Sequence, residues 1–315
     1  MAASRKCVSL FSVAFVLFVT SHSYAQVPRI QVGKWVDPPN KIEDPLNEIV
    51  SVRYFKDDKF LGTGTLLNEC RVIGAVHVLL NMIHGDPDHN YMTNPNESLV
   101  GEKFDFVTNP VADPNGKTQR AIGSFVVLGH GKPKEKELSL NAEEDWFVGF
   151  DPDCLGDRLK LGYVIPINGQ RLDSMQTRTY MTAGHSHLPA ARNSRGEYEL
   201  YIDSKCNVTD AEYVNDSYIM TNCSFWNGGS GQLLMTLARK RGEIQMGPGG
   251  HPIKLAHAIF QTVEEHLDLK VPNIKGASGV APFTYDLWNK IHPFLEGPVD
   301  TAKLAQIALA RKRTP

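Results

Sequence analysis

The feature that most constrains this chain is a long succession of short β-branched and aromatic runs broken by turn residues. Ile49-Val50-Ser51-Val52-Arg53-Tyr54-Phe55 is the first, ended by Asp57-Asp58, and Leu61–Leu67 and Val72–His77 follow it. Further runs are Lys103–Val107, Ala121–Leu128, Trp146–Phe150, Leu159–Ile165, Thr177–Ala183, Glu199–Ile202, Gly231–Leu237 and Ile253–Thr262. Short strands separated by turn-rich loops predict an all-β sandwich or barrel rather than βαβ units. No fixed period repeats, which argues against a solenoid or propeller. The 315 residues suffice for one large domain or two of about 120 residues each. The end of the chain differs. Phe283, Leu287, Ile291 and Phe294 form a helical stripe interrupted by Pro293. Asp300 is placed to cap a second helix through Leu304, Ile307 and Ala308, whose basic end, Arg311-Lys312-Arg313, complements the helix dipole.

The first 25 residues stand apart. Arg5 and Lys6 precede an apolar run from Cys7 to about Thr20, and Ser23-Tyr24-Ala25 offers the small-x-small pattern of a signal-peptidase site. The run falls short of the roughly 20 residues that span a bilayer. Residues 1–25 are therefore expected to be a cleaved signal, leaving no stable membrane anchor, and residues 26–45 a surface arm. Without the signal's two cations the net charge moves from −2 to about −4. No basic excess marks a nucleic-acid partner. Export puts Cys70, Cys154, Cys206 and Cys223 in an oxidising compartment, where two disulfides in any of three connectivities are expected. No pair has C-x-x-C spacing. Asn96, Asn207 and Asn215 are sequons, a pattern common by chance.

Three places depart from the β pattern. His77 ends the run Gly74-Ala75-Val76-His77. Asp145 follows Glu143-Glu144 and precedes Trp146-Phe147-Val148. Ser230 lies in Asn227-Gly228-Gly229-Ser230-Gly231. Alone, each is ordinary: a strand-end histidine, a turn aspartate, a flexible loop. Together they supply a nucleophile, a base to take its proton, and a carboxylate to fix the base's tautomer. Glycine backbone at Gly228 can turn an N–H toward a developing oxyanion beside that of Ser230. The order His, Asp, Ser is that of the two-barrel serine proteases. The α/β-hydrolases run Ser, Asp, His and need G-x-S-x-G, where Gln232 stands in place of the last glycine.

The chain resembles the trypsin-like serine proteases, nearer the bacterial glutamyl-endopeptidase (V8-like) branch. Gly62-Thr63-Gly64-Thr65-Leu66-Leu67 with Cys70–Val78 resembles the strand pair leading to that family's histidine. Asp145-Trp146-Phe147-Val148 resembles the branch's Asp-Trp-Ala-Leu, Thr182-Ala183-Gly184-His185 a strand end in the second barrel, and Cys223–Gly231 the nucleophile loop. The resemblance implies two antiparallel Greek-key β-barrels, about 46–157 and 158–280, with a helical segment at 281–315. It implies a secreted endopeptidase acting on a peptide or protein through His77, Asp145 and Ser230, with Gly228 and Ser230 as oxyanion donors and no cofactor or metal. Each barrel then holds two cysteines, so the expected pairs are Cys70–Cys154 and Cys206–Cys223. The substrate pocket falls around Ser224-Phe225-Trp226 and Phe260-Gln261-Thr262. Neither stretch carries a carboxylate, which argues against preference for Arg or Lys. The branch's Glu preference uses a histidine where Phe260 stands; His257 lies three residues earlier.

Departures from the family pattern keep a second reading open. The histidine motif reads Gly-Ala-Val-His rather than Thr-Ala-Ala-His, and the serine is followed by Gly231-Gln232-Leu233 rather than Gly-Gly-Pro. The alternative is a catalytically inactive trypsin-fold protein that binds a peptide or surface partner. Gly229 replaces the aspartate that digestive relatives use in zymogen activation, so the oxyanion loop is expected to be held by local packing. A metalloprotein built on His84, Asp86, His89, His185 and His187 lacks H-E-x-x-H or paired-ligand spacing.

Overall fold

The computed structural model describes residues 30–32, 51–56, 59–67, 70–84, 98–108, 111–112, 118–119, 122–132, 142–158, 163–185, 200–208, 219–223, 229–247, 250–263 and 278–312. A short strand, β1 (Ile30–Val32), precedes the first barrel. That barrel is built from β2 (Ser51–Lys56), β3 (Lys59–Leu67), β4 (Arg71–Gly74), β5 (Lys103–Thr108), β8 (Ile122–His130) and β9 (Phe147–Phe150). Helix α1 (Val76–His84) follows β4, and a small ladder, β6 (Val111–Ala112) with β7 (Thr118–Gln119), lies between β5 and β8. The six strands close in the order β2-β3-β4-β9-β8-β5. Alternation decides which face is inside: along β5, Phe104, Phe106 and Thr108 are buried while Lys103 and Asp105 are exposed. Phe125 stacks between Phe104 (5.7 Å) and Phe147 (5.3 Å) in the middle of the barrel. Each such ring contributes about 2–3 kcal/mol by leaving water.

After α2 (Leu155–Arg158), β10 (Tyr163–Pro166) and α3 (Leu172–Met175) comes the second barrel. Its strands are β11 (Thr179–His185), β12 (Leu200–Asn207), β13 (Ile219–Thr221), β14 (Leu233–Leu237), β17 (Ile253–Val263) and β18 (Ser278–Pro282). A two-stranded hairpin, β15 (Arg239–Lys240) with β16 (Glu243–Ile244), projects between β14 and β17. The sheet runs β12-β11-β14-β17-β18-β13. Its two ends meet at an antiparallel bridge, Val208 with Thr221, supported by Asn222 N–H donating to the Asn207 carbonyl (3.1 Å). The Cys206–Cys223 disulfide crosses that seam, so a covalent bond supplements a ladder of minimal length. In chain order the strands of both barrels are arranged 1-2-3-6-5-4, one Greek-key order used twice.

Cys70–Cys154 is the other disulfide, joining the start of β4 to the segment after β9, and both pairs match the expectation. Of the run expected from Leu159, residues 159–162 lie outside the described residues, and the rest lies in β10, which pairs in parallel with β17 beside the second barrel. The arm contributes β1, antiparallel to the free edge of β12 at Leu200–Ile202. Two barrel strands, β13 and β18, carry no signal strong enough to be read in sequence: β13 is only three residues long, and β18 is built mostly of small residues.

At the end of the chain stand α4 (Tyr285–Leu295) and α5 (Thr301–Lys312). Thr284 caps α4 by accepting from Leu287 N–H (3.3 Å), and Asp300 caps α5 by accepting from Lys303 N–H (2.9 Å). Pro293 does not interrupt α4, contrary to the sequence reading. The helix is pinned instead by buried Leu287, Ile291 and Leu295, and by Arg71, which donates to the carbonyls of Phe294 (2.9 Å) and Gly297 (2.7 Å) near its C-terminus. Among the described residues no helix is long and apolar enough to cross a membrane.

Candidate active site

His77 does not end a strand. Strand β4 stops at Gly74, and His77 is the second residue of α1, whose first turn has no acidic residue of its own. A first-turn N–H has no partner within its helix. Asp145 provides one: its Oδ1 accepts the His77 backbone N–H at 3.0 Å. Its Oδ2 lies 2.7 Å from His77 Nδ1. The carboxylate thus binds a helix N-terminus and an imidazole together, and its negative charge suits the helix dipole. Asp145 is fully buried, between a single 3₁₀ turn (Ala142–Glu144) and β9. A buried carboxylate is tolerable only when its oxygens are satisfied, and these two contacts meet that need. The Asp145 contact places the proton on His77 Nδ1 and leaves Nε2 as the basic nitrogen.

Ser230 comes from the other barrel. Its carbonyl accepts from Thr63 N–H of β3 (3.1 Å), and Gly231 N–H donates to the Phe260 carbonyl of β17 (2.8 Å). Gly231 has φ +91°, and a Cβ there would collide with the Thr63 carbonyl and lie 2.9 Å from Ala75 N and 3.1 Å from Gly74 Cα. Gly74 and Ala75 directly precede α1. The serine loop is therefore wedged against the segment that launches His77. Gln232 is buried and folds its side chain over Gly184, and its N–H donates to the Gly229 carbonyl (3.0 Å). Among these contacts the loop is held by backbone bonds and packing. The pinning role of Thr63 is absent from the sequence reading; the glycine after the serine is the only trace of it.

Gly228 and Ser224 lie outside the described residues, as does the side chain of Gln261. Phe260 is fully buried in a cluster with Tyr180, Cys206, Cys223 and Val280. Asp86, His89 and His187 also lie outside, as do the side chains of His84 and His185.

No family model and no curated protein matches the chain. Among solved structures it is similar to a Glu endopeptidase in complex with MPD, at 12% identity and a TM-score of 0.49, over 84% of this chain and 95% of that one. The fold assignment rests on the strand order, one Greek-key order used twice. The fold is the trypsin-like double barrel. In it, the first barrel and α1 carry His77 and Asp145, and the second barrel carries Ser230.

His257, the histidine nearest Phe260, is spent inside the second barrel. Its Nδ1 faces Gln170 Oε1 and its Nε2 faces Thr236 Oγ1, each at 2.8 Å. An amide oxygen only accepts, so Nδ1 carries a proton. The Tyr180 ring meets it edge-on at 5.2 Å. Burial, with Arg178 adding to it, holds the imidazole down to about 4. An unfolded histidine takes up its proton near about 6.5. Between these values the unfolded chain binds more protons than the folded one, so stability should fall as pH drops through that window and level off below about 4. The full loss is about 3 kcal/mol. Urea midpoints at pH 7 and pH 5 test this. His257→Gln should show a shallower pH dependence than the unaltered chain, and equal slopes would remove His257 as the cause.

Proposed function

We propose that this chain is an exported serine endopeptidase that cleaves peptide bonds through His77, Asp145 and Ser230 by way of an acyl-enzyme. The observation that carries the reading is the paired contact of buried Asp145 with His77, made beside the glycine-hinged loop of Ser230. In this reading His77 Nε2 takes the proton from Ser230 Oγ as the oxygen attacks the scissile carbonyl. Asp145 stabilises the imidazolium without itself accepting a proton. The N–H groups of Gly228 and Ser230 receive the oxyanion. His77 then returns the proton to the leaving amine, and a water repeats the sequence on the ester.

Export is supported by the charged-then-apolar start with its small-residue site and by two disulfides, bonds that persist in oxidising compartments. The substrate is a peptide or protein segment lying between the barrels.

A fluorophosphonate or sulfonyl-fluoride probe tests the chemistry. It should attach to Ser230 alone among the serines, because only an activated hydroxyl beside oxyanion donors reacts. Ser230→Ala should abolish labelling and peptidase activity in a folded protein. A folded, disulfide-bonded protein that takes no probe at neutral pH would favour the inactive, peptide-binding alternative.

A further inference from the structure

We propose that Lys290 of α4 is a positioning residue for Asp145, acting through Glu144; the proposal rests on the reading of Asp145 as the orienter of His77. Glu144 precedes Asp145 directly, and its two carboxylate oxygens go to different elements. Oε1 receives Lys290 Nζ at 2.5 Å, and Oε2 accepts from Lys132 N–H, just past the end of β8, at 3.1 Å. On the other side of Asp145, the Trp146 carbonyl accepts from Gly131 N–H (2.8 Å), and the Trp146 ring rests on Phe294 of α4 at 5.9 Å. A Cβ at Gly131 would strike the Glu144 carbonyl, so β8 and the Asp145 segment approach as closely as backbone permits. Asp145 is thus gripped on both flanks, and each grip is shared between the end of β8 and α4.

Magnitude separates stability from positioning here. The Lys290 and Glu144 side chains are 36% and 31% exposed, and pairs of that exposure add little to folding. What the pair does is register α4 on the residue next to a buried carboxylate whose oxygens face His77 at 3.0 and 2.7 Å. The helix is a firm base for this, since Arg71 ties its C-terminal carbonyls to the start of β4, the strand that leads to His77. A displacement of about 1 Å at a catalytic group costs up to a hundredfold in rate. A partial loosening of this brace should cost about tenfold in kcat, leaving KM within about twofold because no substrate contact changes.

The test uses the full chain with Lys290→Met, Lys290→Arg, Glu144→Gln and the double variant Glu144→Gln/Lys290→Met. Kinetics are read beside the low-field proton NMR signal of His77 Nδ1–H, which reports its bond to Asp145 without turnover. Lys290→Met and Glu144→Gln should each weaken or broaden that signal and lower kcat about tenfold. The double variant should lose no more than either single change, and Lys290→Arg should restore both readouts. An unchanged signal and unchanged kcat in Lys290→Met, with or without a lower melting temperature, would overturn the proposal. A signal that responds as expected in a protein that takes no serine probe would uphold the brace and defeat the peptidase reading.

Discussion

Asp145→Asn should lower kcat by a factor on the order of 10⁴ while the protein remains folded. The side chain has two tasks that an amide cannot perform together. Oδ1 accepts the backbone N–H of His77 and Oδ2 faces its Nδ1, so both oxygens act as acceptors. Asparagine offers one acceptor and one donor. If its oxygen keeps the helix N–H, its NH₂ faces Nδ1, which must then accept, and the ring proton moves to Nε2. In that tautomer Nε2 has no lone pair for the serine proton. If the amide flips, the N–H of the first turn of α1 is left facing a donor in a buried site, which costs about 1–3 kcal/mol. The first outcome destroys catalysis and spares the fold, the second trades some stability for rate. Stopped-assay kcat values with melting curves distinguish them, and a variant retaining a tenth of the original rate would show that His77 does not depend on Asp145.

Gly231→Ala should cost at least about a hundredfold in kcat and lower the melting temperature as well. A left-handed backbone angle disfavours any side chain by about 1–2 kcal/mol. Here the surroundings add more: a methyl group meets the Thr63 carbonyl, Ala75 N and Gly74 Cα, all backbone atoms that cannot rotate away. Relief requires the Ser230 loop to move off the first barrel, breaking Thr63 N–H to Ser230 O or Gly231 N–H to Phe260 O. Either movement takes Ser230 away from the segment that carries His77. Serine-probe labelling and kcat should fall together, and undiminished labelling in a folded Gly231→Ala protein would refute the wedge.

Local patterns in the chain were enough to determine the class of fold and the order of the chemical groups, but they left three cysteine connectivities open. Alternation of Phe104 and Phe106 with Lys103 and Asp105 marks a half-buried strand wherever it lies, because side chains on a strand alternate faces. Glycines flanking Ser230 mark a backbone under special demands. The resemblance of four motifs in one order supplied the rest. What stayed illegible was whatever depends on distant partners. The run Val72–His77 reads as strand because Val and Ile favour strands, yet the chain turns into α1 at Val76, where Asp145, 68 residues on, supplies the acceptor its first turn lacks. Pro293 reads as a helix breaker, yet α4 continues through it, because buried Leu287, Ile291 and Leu295 and the grip of Arg71 outweigh one missing bond. Short β13 and β18 exist as strands because neighbours pair with them, and residues 163–166 find a parallel partner instead of a place in a barrel. The bracing of Asp145 by Lys290 spans 146 residues, and no local periodicity encodes a contact of that range. Propensity and pattern act over a few residues, so they determined the pieces of this protein; hydrogen bonds and packing between pieces far apart in sequence decided how they met, and that meeting is the site.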